Sequence, residues 1–122
     1  MSDRRYSVDE ANALLPGLVP LLERLRDAQR SMAELQGEVT TAATGNGGGS
    51  AGNDFLEASQ AAGRVMAEID ELGIFVRDPE VGLIDFPAER DGEEIFLCWR
   101  LGEDAVAWWH PTDSGFAGRQ PL

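Results

Sequence analysis

Apolar residues recur at three- and four-residue intervals along the first third of the chain: Ala11, Leu14, Leu18, Leu21, Leu25, Ala28, Met32, Leu35 and Val39. That spacing is the seam of an amphipathic helix, coiled-coil-like in its regularity. Leu15 and Leu22 widen the stripe in its first half, while Arg24, Arg26, Asp27, Arg30 and Glu34 fall off it and should face water. The start is explicit. Ser7-Val8-Asp9-Glu10 is a capping box, with Ser7 as N-cap, Glu10 at N3 and Tyr6 at N′, positioned for a staple. Pro16 and Pro20 interrupt the pattern. Each lacks an amide donor and crowds the preceding turn. The spacing therefore predicts a short helix ending near Leu14, a restart with Pro16 in its first turn, and a bend at Pro20.

The run TGNGGGSAGN, residues 44–53, has no apolar period and is rich in glycine. It predicts a flexible connector over residues 45–53. A phosphate-binding loop is excluded, because no strand precedes the run and the chain has no Lys. The seam spacing resumes at Phe55, Ala58, Ala62, Val65, Ile69 and Leu72. It predicts a second helix over residues 54–72, capped by Asn53 or Asp54 and closed by Gly73 at C′. Two matching seams joined by a loop predict an antiparallel helical hairpin. The first helix is the longer one, so part of its seam needs another cover. That cover is either the sheet or a second protomer, and a homodimer through the helices is the preferred expectation.

From Ile74 the period changes to two. Residues 74–76 read as a short strand and residues 83–90 as a longer one. Asp91-Gly92 reads as a type I′ turn and residues 93–101 as the partner strand. Gly102-Glu103-Asp104 makes a further turn before a strand over residues 105–110. Pro87 cannot donate to a ladder, so its strand is bulged or at an edge there. A two-residue turn sets the register: Arg90 opposite Glu93, Phe86 opposite Leu97, Asp85 opposite Cys98. One face then carries Ile84, Phe86, Ala88, Ile95, Leu97 and Trp99, and must lie on the helices. The other carries Asp85, Pro87, Glu89, Glu94, Phe96, Cys98 and Arg100 and is mixed. A three-residue loop puts Trp108 and His110 on the mixed face, a two-residue loop on the core face, because a slip of one flips every side chain.

The expected fold is a single α+β domain over residues 1–122. A long antiparallel helical hairpin packs on a small three-stranded antiparallel sheet, with a β-hairpin region and tail over residues 74–122.

Net charge sharpens this picture. Asp and Glu number 22 against 10 basic residues, all Arg, giving −12. That balance disfavours phosphate backbones and anionic membrane surfaces, so no nucleic-acid or membrane partner is expected. It tolerates metal ions and cationic ligands. One Cys excludes an internal disulfide and fits a reducing compartment. No apolar stretch resembles a secretory signal or a membrane span, so the expected location is cytoplasmic.

All three Trp, the Cys and the His fall within residues 82–122. Histidine is the side-chain type whose charge changes near neutrality, so His110, the one His, is a candidate metal ligand or general base. The plainer reading is a strand-end His bonded to a carboxylate. Cys98, between Leu97 and Trp99, is a candidate thiolate ligand or nucleophile, or an inert small hydrophobe. Asp85, between Ile84 and Phe86, needs a partner, for which Arg100, Arg119 and His110 are candidates. With His110 and Cys98 it makes a candidate transition-metal set, although no HxxxH, HExxH or CxxC spacing is present. Glu103 reads as a turn residue that pairs locally. Trp99, Trp108 and Trp109 are candidate pocket walls or ordinary packing. Arg119, in the GFAGRQPL tail, is placed to fork onto Asp85 or a ligand carboxylate.

GLIDFPA, Asp91-Gly92, LCWRLGE, WWH and GFAGRQPL resemble the bacterial family called domain of unknown function 2203. YSVDEANALLPGLVPLLERL is similar to that family's opening. The resemblance covers nearly the whole chain except the glycine run. It implies no activity, so it carries over no catalytic residue. Whether the protein is an enzyme is left open. The leading expectation is a small binding or accessory protein with a polar site drawn from Asp85, Cys98, Trp99, Glu103, Trp109, His110 and Arg119. The alternatives are a metal-binding protein or metal-dependent enzyme using His110 and Asp85, with Cys98 or Glu103 in support, and a structural dimer in which these residues lock the fold.

Overall fold

In the computed structural model the described residues are 4–44 and 51–122, the side chains of residues 38–44 and of Ala51 excepted. They form α1 (Val8–Thr44), α2 (Ala51–Glu71), β1 (Phe75–Asp78), β2 (Leu83–Arg90), β3 (Glu93–Arg100), β4 (Trp108–Pro111) and β5 (Gln120–Pro121), with a 3₁₀ turn at Phe116–Gly118. The strands make one antiparallel meander in the order β1-β2-β3-β4-β5. The α+β class stands, but the sheet has five strands where a three-stranded one was expected: the short strand read over residues 74–76 joins it as β1, and the tail adds β5. The additions are short. β1 extends past the expected Val76 to Asp78, and the tail pairs with β4 through Trp108–Pro121 and Trp109–Gln120. No helix among the described residues is long and apolar enough to cross a membrane.

The cap of α1 forms as its residues dictate. Ser7 N–H donates to Glu10 Oε1 at 2.8 Å and Glu10 N–H to Ser7 Oγ at 3.0 Å. The Ser7 amide holds the Glu10 carboxyl below its ordinary pKa. Tyr6, at N′, is buried in the same apolar cluster as Ala11 at N4. Its ring meets Phe86 edge-on at 5.5 Å, its amide donates to the Pro87 carbonyl, and its hydroxyl donates to the Leu72 carbonyl.

The expected break near Leu14 does not occur: α1 runs unbroken through Pro16 and Pro20. Both prolines are exposed, so the carbonyls they leave unpaired can meet water. Ala11, Leu15, Leu18, Leu22 and Leu25 are buried along the opposite face, on both sides of the prolines. Burial at about 1.5–3 kcal/mol per large side chain outweighs an interior proline's cost of about 3 kcal/mol.

α2 begins at least three residues earlier than expected, so Asn53 and Asp54 lie inside it and do not cap it. Asp54 still favours the first turn through the helix dipole. The rest of the glycine run, residues 45–50, lies outside the described residues, as does the side chain of Val39. At the far end Gly73, at φ 75°, closes α2 in a Schellman pattern. Its amide reaches Asp70 O, and Ile74 N–H reaches Ile69 O.

The β2–β3 register is the expected one, with Arg90–Glu93, Phe86–Leu97 and Asp85–Cys98 opposed. Asp91 at φ 53° and Gly92 at φ 81° make the two-residue turn, which needs positive φ at both positions. Ile84, Phe86, Ala88, Ile95, Leu97 and Trp99 are all buried, in one cluster with Leu18, Leu22 and Ile69 of the helices. The sheet is thus a cover for the N-terminal half of the long seam. Pro87 sits at a free edge: β1 pairs with β2 only as far as Asp85, and beyond it the Pro87 carbonyl accepts from Tyr6.

β4 is shorter than expected and its connection longer, since residues 101–107 separate it from β3. The pairing is nonetheless that of a three-residue loop: Cys98 opposes Trp108 and Phe96 opposes His110. His110 and Trp108 therefore share the mixed face with Asp85 and Cys98.

Candidate metal centre on the outer face of the sheet

The face turned away from the helices is polar in composition yet closed at its middle. Asp85, Cys98 and His110 are 2%, 1% and 1% exposed. They come from three neighbouring strands: Asp85 from β2, Cys98 from β3, His110 from β4. Asp85 and Cys98 are direct cross-strand partners, and His110 lies one row away, opposite Phe96. The side chains of Asp85 and His110 lean toward each other across β3. One carboxylate oxygen, Sγ and one imidazole nitrogen all lie within 4.8 Å of one another. Among the described residues no other three ligating side chains converge in this way.

The hydrogen bonds fix where the protons sit. His110 Nδ1 is 2.8 Å from the Pro111 carbonyl, which can only accept, so Nδ1 carries a proton. His110 Nε2 is 3.0 Å from both oxygens of Asp85. A bare imidazole lone pair facing a carboxylate would repel it, so that contact also holds one proton. Asp85 Oδ2 further accepts from Arg77 Nε at 2.9 Å. The Cys98 thiol is pushed up to about 12 by burial, then by the negative charge of Asp85, with Arg119 opposing. Raised that far, Cys98 is a thiol near neutral pH, and only the thiolate attacks.

Arginines and rings close this face. The Arg77 guanidinium packs against both the Phe75 ring, at 4.8 Å, and the Phe96 ring, at 5.0 Å, and those two rings meet edge-on at 5.6 Å. Phe96 meets His110 at 5.6 Å. Arg77 and Phe96 were not among the expected site residues. Arg77 was legible in principle, two residues after Phe75 on the strand beside Asp85, had β1 been read one residue beyond Val76.

The other expected residues divide. Glu103 and Arg119 pair at 2.6 Å, and Glu103 Oε1 accepts the Arg100 amide at 2.8 Å. Arg119 thus takes Glu103 and not Asp85, whose partners are His110 and Arg77. Trp99 is on the core face at 2% exposure, with Nε1 donating to the Glu103 carbonyl at 3.1 Å. Trp109 opposes Leu97, packs against the core, and has Arg90 4.7 Å from its ring. Neither Trp99 nor Trp109 reaches the outer-face cluster, because strand alternation points both to the helices. Trp108 is the tryptophan on the outer face.

The donors are one nitrogen, one sulfur and one oxygen. That mixture suits zinc or a similar transition ion better than calcium or magnesium, which prefer all-oxygen shells. A bond from Nδ1–H to a backbone carbonyl is the usual way a metal-binding imidazole is oriented. A family model described as an uncharacterized conserved protein, DUF2203, matches residues 4–122. No curated protein and no solved structure matches the chain.

Proposed function

The chain belongs to the DUF2203 family, and from its own side chains we propose that it is a small binding protein whose ligand is a transition-metal ion held by Asp85, Cys98 and His110. The observation that carries this is the buried convergence of three different donors, with Nδ1 of His110 already committed to a backbone carbonyl. The proton count supports it. A divalent ion would displace two protons, one from the Cys98 thiol and one from the His110–Asp85 contact. The charge of the buried cluster would then be unchanged. Three protein donors leave a fourth position for water or a small ligand. The chemistry such an ion supplies is Lewis acidity.

Elemental content tests this. Untagged protein from metal-replete growth is expected to hold near-stoichiometric zinc, or another first-row ion, and His110→Ala to lose it. Cobalt added to metal-free protein is expected to give a thiolate charge-transfer band that Cys98→Ser abolishes. Uptake should weaken as pH falls, because the ligands must shed their protons. Metal-free protein, with no cobalt band, would overturn the reading.

A second reading rests on a specific observation: with Arg77 and His110 both on Asp85, the network is satisfied without an ion. On that reading the cluster locks the sheet. A cytoplasmic setting suits either, since both need the thiol reduced.

We also propose that two copies pair through their helices. The residues that would carry it are Leu56 and Met66 on α2, at 55% and 41% exposure. Light scattering should give twice 13.2 kDa, and the monomer mass at all concentrations would end the idea.

A further inference from the structure

Beside the metal cluster, and separate from it, four side chains stack in alternation: Trp108, Arg119, Phe116 and Arg100. The Arg119 guanidinium lies 4.8 Å from the Trp108 ring and 4.6 Å from the Phe116 ring. Arg100 lies 5.4 Å from the Phe116 ring. With Glu103 and Ala117 these residues line a shallow cleft of about 410 Å³. We propose that this cleft binds a carboxylate carried on a planar, apolar body.

Three observations point there. First, the Arg119 side chain is 8% exposed, and its Nε, buried, has no hydrogen-bond partner among the described residues. A buried donor left unmade is costly, and charged donors most of all. Second, the charges of the cleft do not cancel. Arg100 and Arg119 face one carboxylate, Glu103, and that carboxylate is already taken by Arg119. Arg100 has no ion pair among the described residues. An excess positive charge in a protein of net charge −12 is a local departure from its own surface. Third, the walls are aromatic. Phe116 is 43% exposed, and Trp108 is half-buried.

The chemistry of the ligand follows. Guanidinium forks match a carboxylate in plane and in spacing. The rings offer stacking to a flat apolar body. One excess positive charge suits a monoanion, and the acidic field of the whole chain disfavours a phosphate dianion. The carboxylate can belong to a free organic acid or to the end of a peptide.

The test is titration of the full chain with 3-phenylpropionate, followed by tryptophan fluorescence and calorimetry. Saturable binding is expected. Arg100→Gln should weaken it on the order of tenfold, the loss of one charge-assisted bond. Arg119→Gln should do the same or more. Arg100 is exposed, so its variant folds even if the Arg119 variant does not. The amide 3-phenylpropanamide should not bind, and inorganic phosphate should not compete. A peptide ending in phenylalanine, with free and amidated termini, separates the two sources. Binding of the free peptide only says the site accepts chain ends, and its failure beside a bound acid restricts the site to small molecules. Each titration is run with and without added zinc, so loss of the metal reading leaves this result standing. Equal binding of acid and amide, no saturable binding, or unaltered affinity in Arg100→Gln would overturn the proposal.

Discussion

Asp85→Ala is expected to destabilise the fold by about 3–5 kcal/mol, the cost of removing one partner from a buried charged pair. The carboxylate is the hub of the outer face. It shares a proton with His110 Nε2 at 3.0 Å and accepts from Arg77 Nε at 2.9 Å. Its removal leaves His110, 1% exposed, with nothing opposite Nε2, and strands the Arg77 guanidinium against Phe75 and Phe96. In a domain of this size the melting temperature should fall on the order of 15 °C. His110→Ala removes the other half. The two substitutions together should cost less than their sum, by about 0.5–3 kcal/mol, because each already disrupts the same pair. Urea titration of the four proteins in the cycle measures this. Asp85→Asn keeps the shape and some hydrogen bonds but not the charge, so it should recover part of the stability and none of the metal affinity. That variant separates the metal from the lock: lost metal with a near-native melt supports an ion at the cluster. An Asp85→Ala protein as stable as the wild type would show that the buried network does not hold this face together.

Trp99→Ala should cost a similar amount, about 3–5 kcal/mol, by a different cause. Trp99 is the largest fully buried side chain in the chain's core, at 2% exposure, between the sheet and the helices. Truncation leaves a cavity that a close-packed interior refills only in part. It also strands the Glu103 carbonyl, which Trp99 Nε1 holds at 3.1 Å. Trp99→Phe should recover most of the packing and lose the bond. Trp109, half-buried beneath Arg90, should cost less when truncated. Denaturant melts rank the three. If Trp99→Ala melts like the wild type yet no longer binds metal or acid, the residue belongs to a site and the core assignment is wrong.

Both predictions depend on which way a strand residue points, and this is where sequence and structure part. Alternation about Asp91-Gly92 placed Asp85 opposite Cys98 and sent Ile84, Phe86, Leu97 and Trp99 to the helices, all of which holds. A two-residue turn leaves no slack in register, so local chemistry suffices there. The capping box and Gly73 are equally local and equally legible. The prolines of α1 misled, because their cost is local and the burial that outweighs it is not. β5 and the extra residues of β1 were missed because two- to four-residue strands have too few side chains to show a period.

The site was legible as a set of residues and not as a site. Residue type and spacing point to Asp85, Cys98 and His110, but equally to Trp99, Trp109, Glu103 and Arg119, which lie elsewhere. What divides the group is the connection over residues 101–107, whose length does not set the register of β4. The chain by itself determined the two helices, the central hairpin, the apolar face and the residue types available for chemistry. Each of these follows from spacing or from contacts within a few residues. Only the tertiary structure decided which face His110 occupies, that Arg77 closes over Asp85, and that Arg119 takes Glu103. Those contacts join strands or tail segments separated by a bulge, a long connection or a 3₁₀ turn, across which periodicity carries no phase.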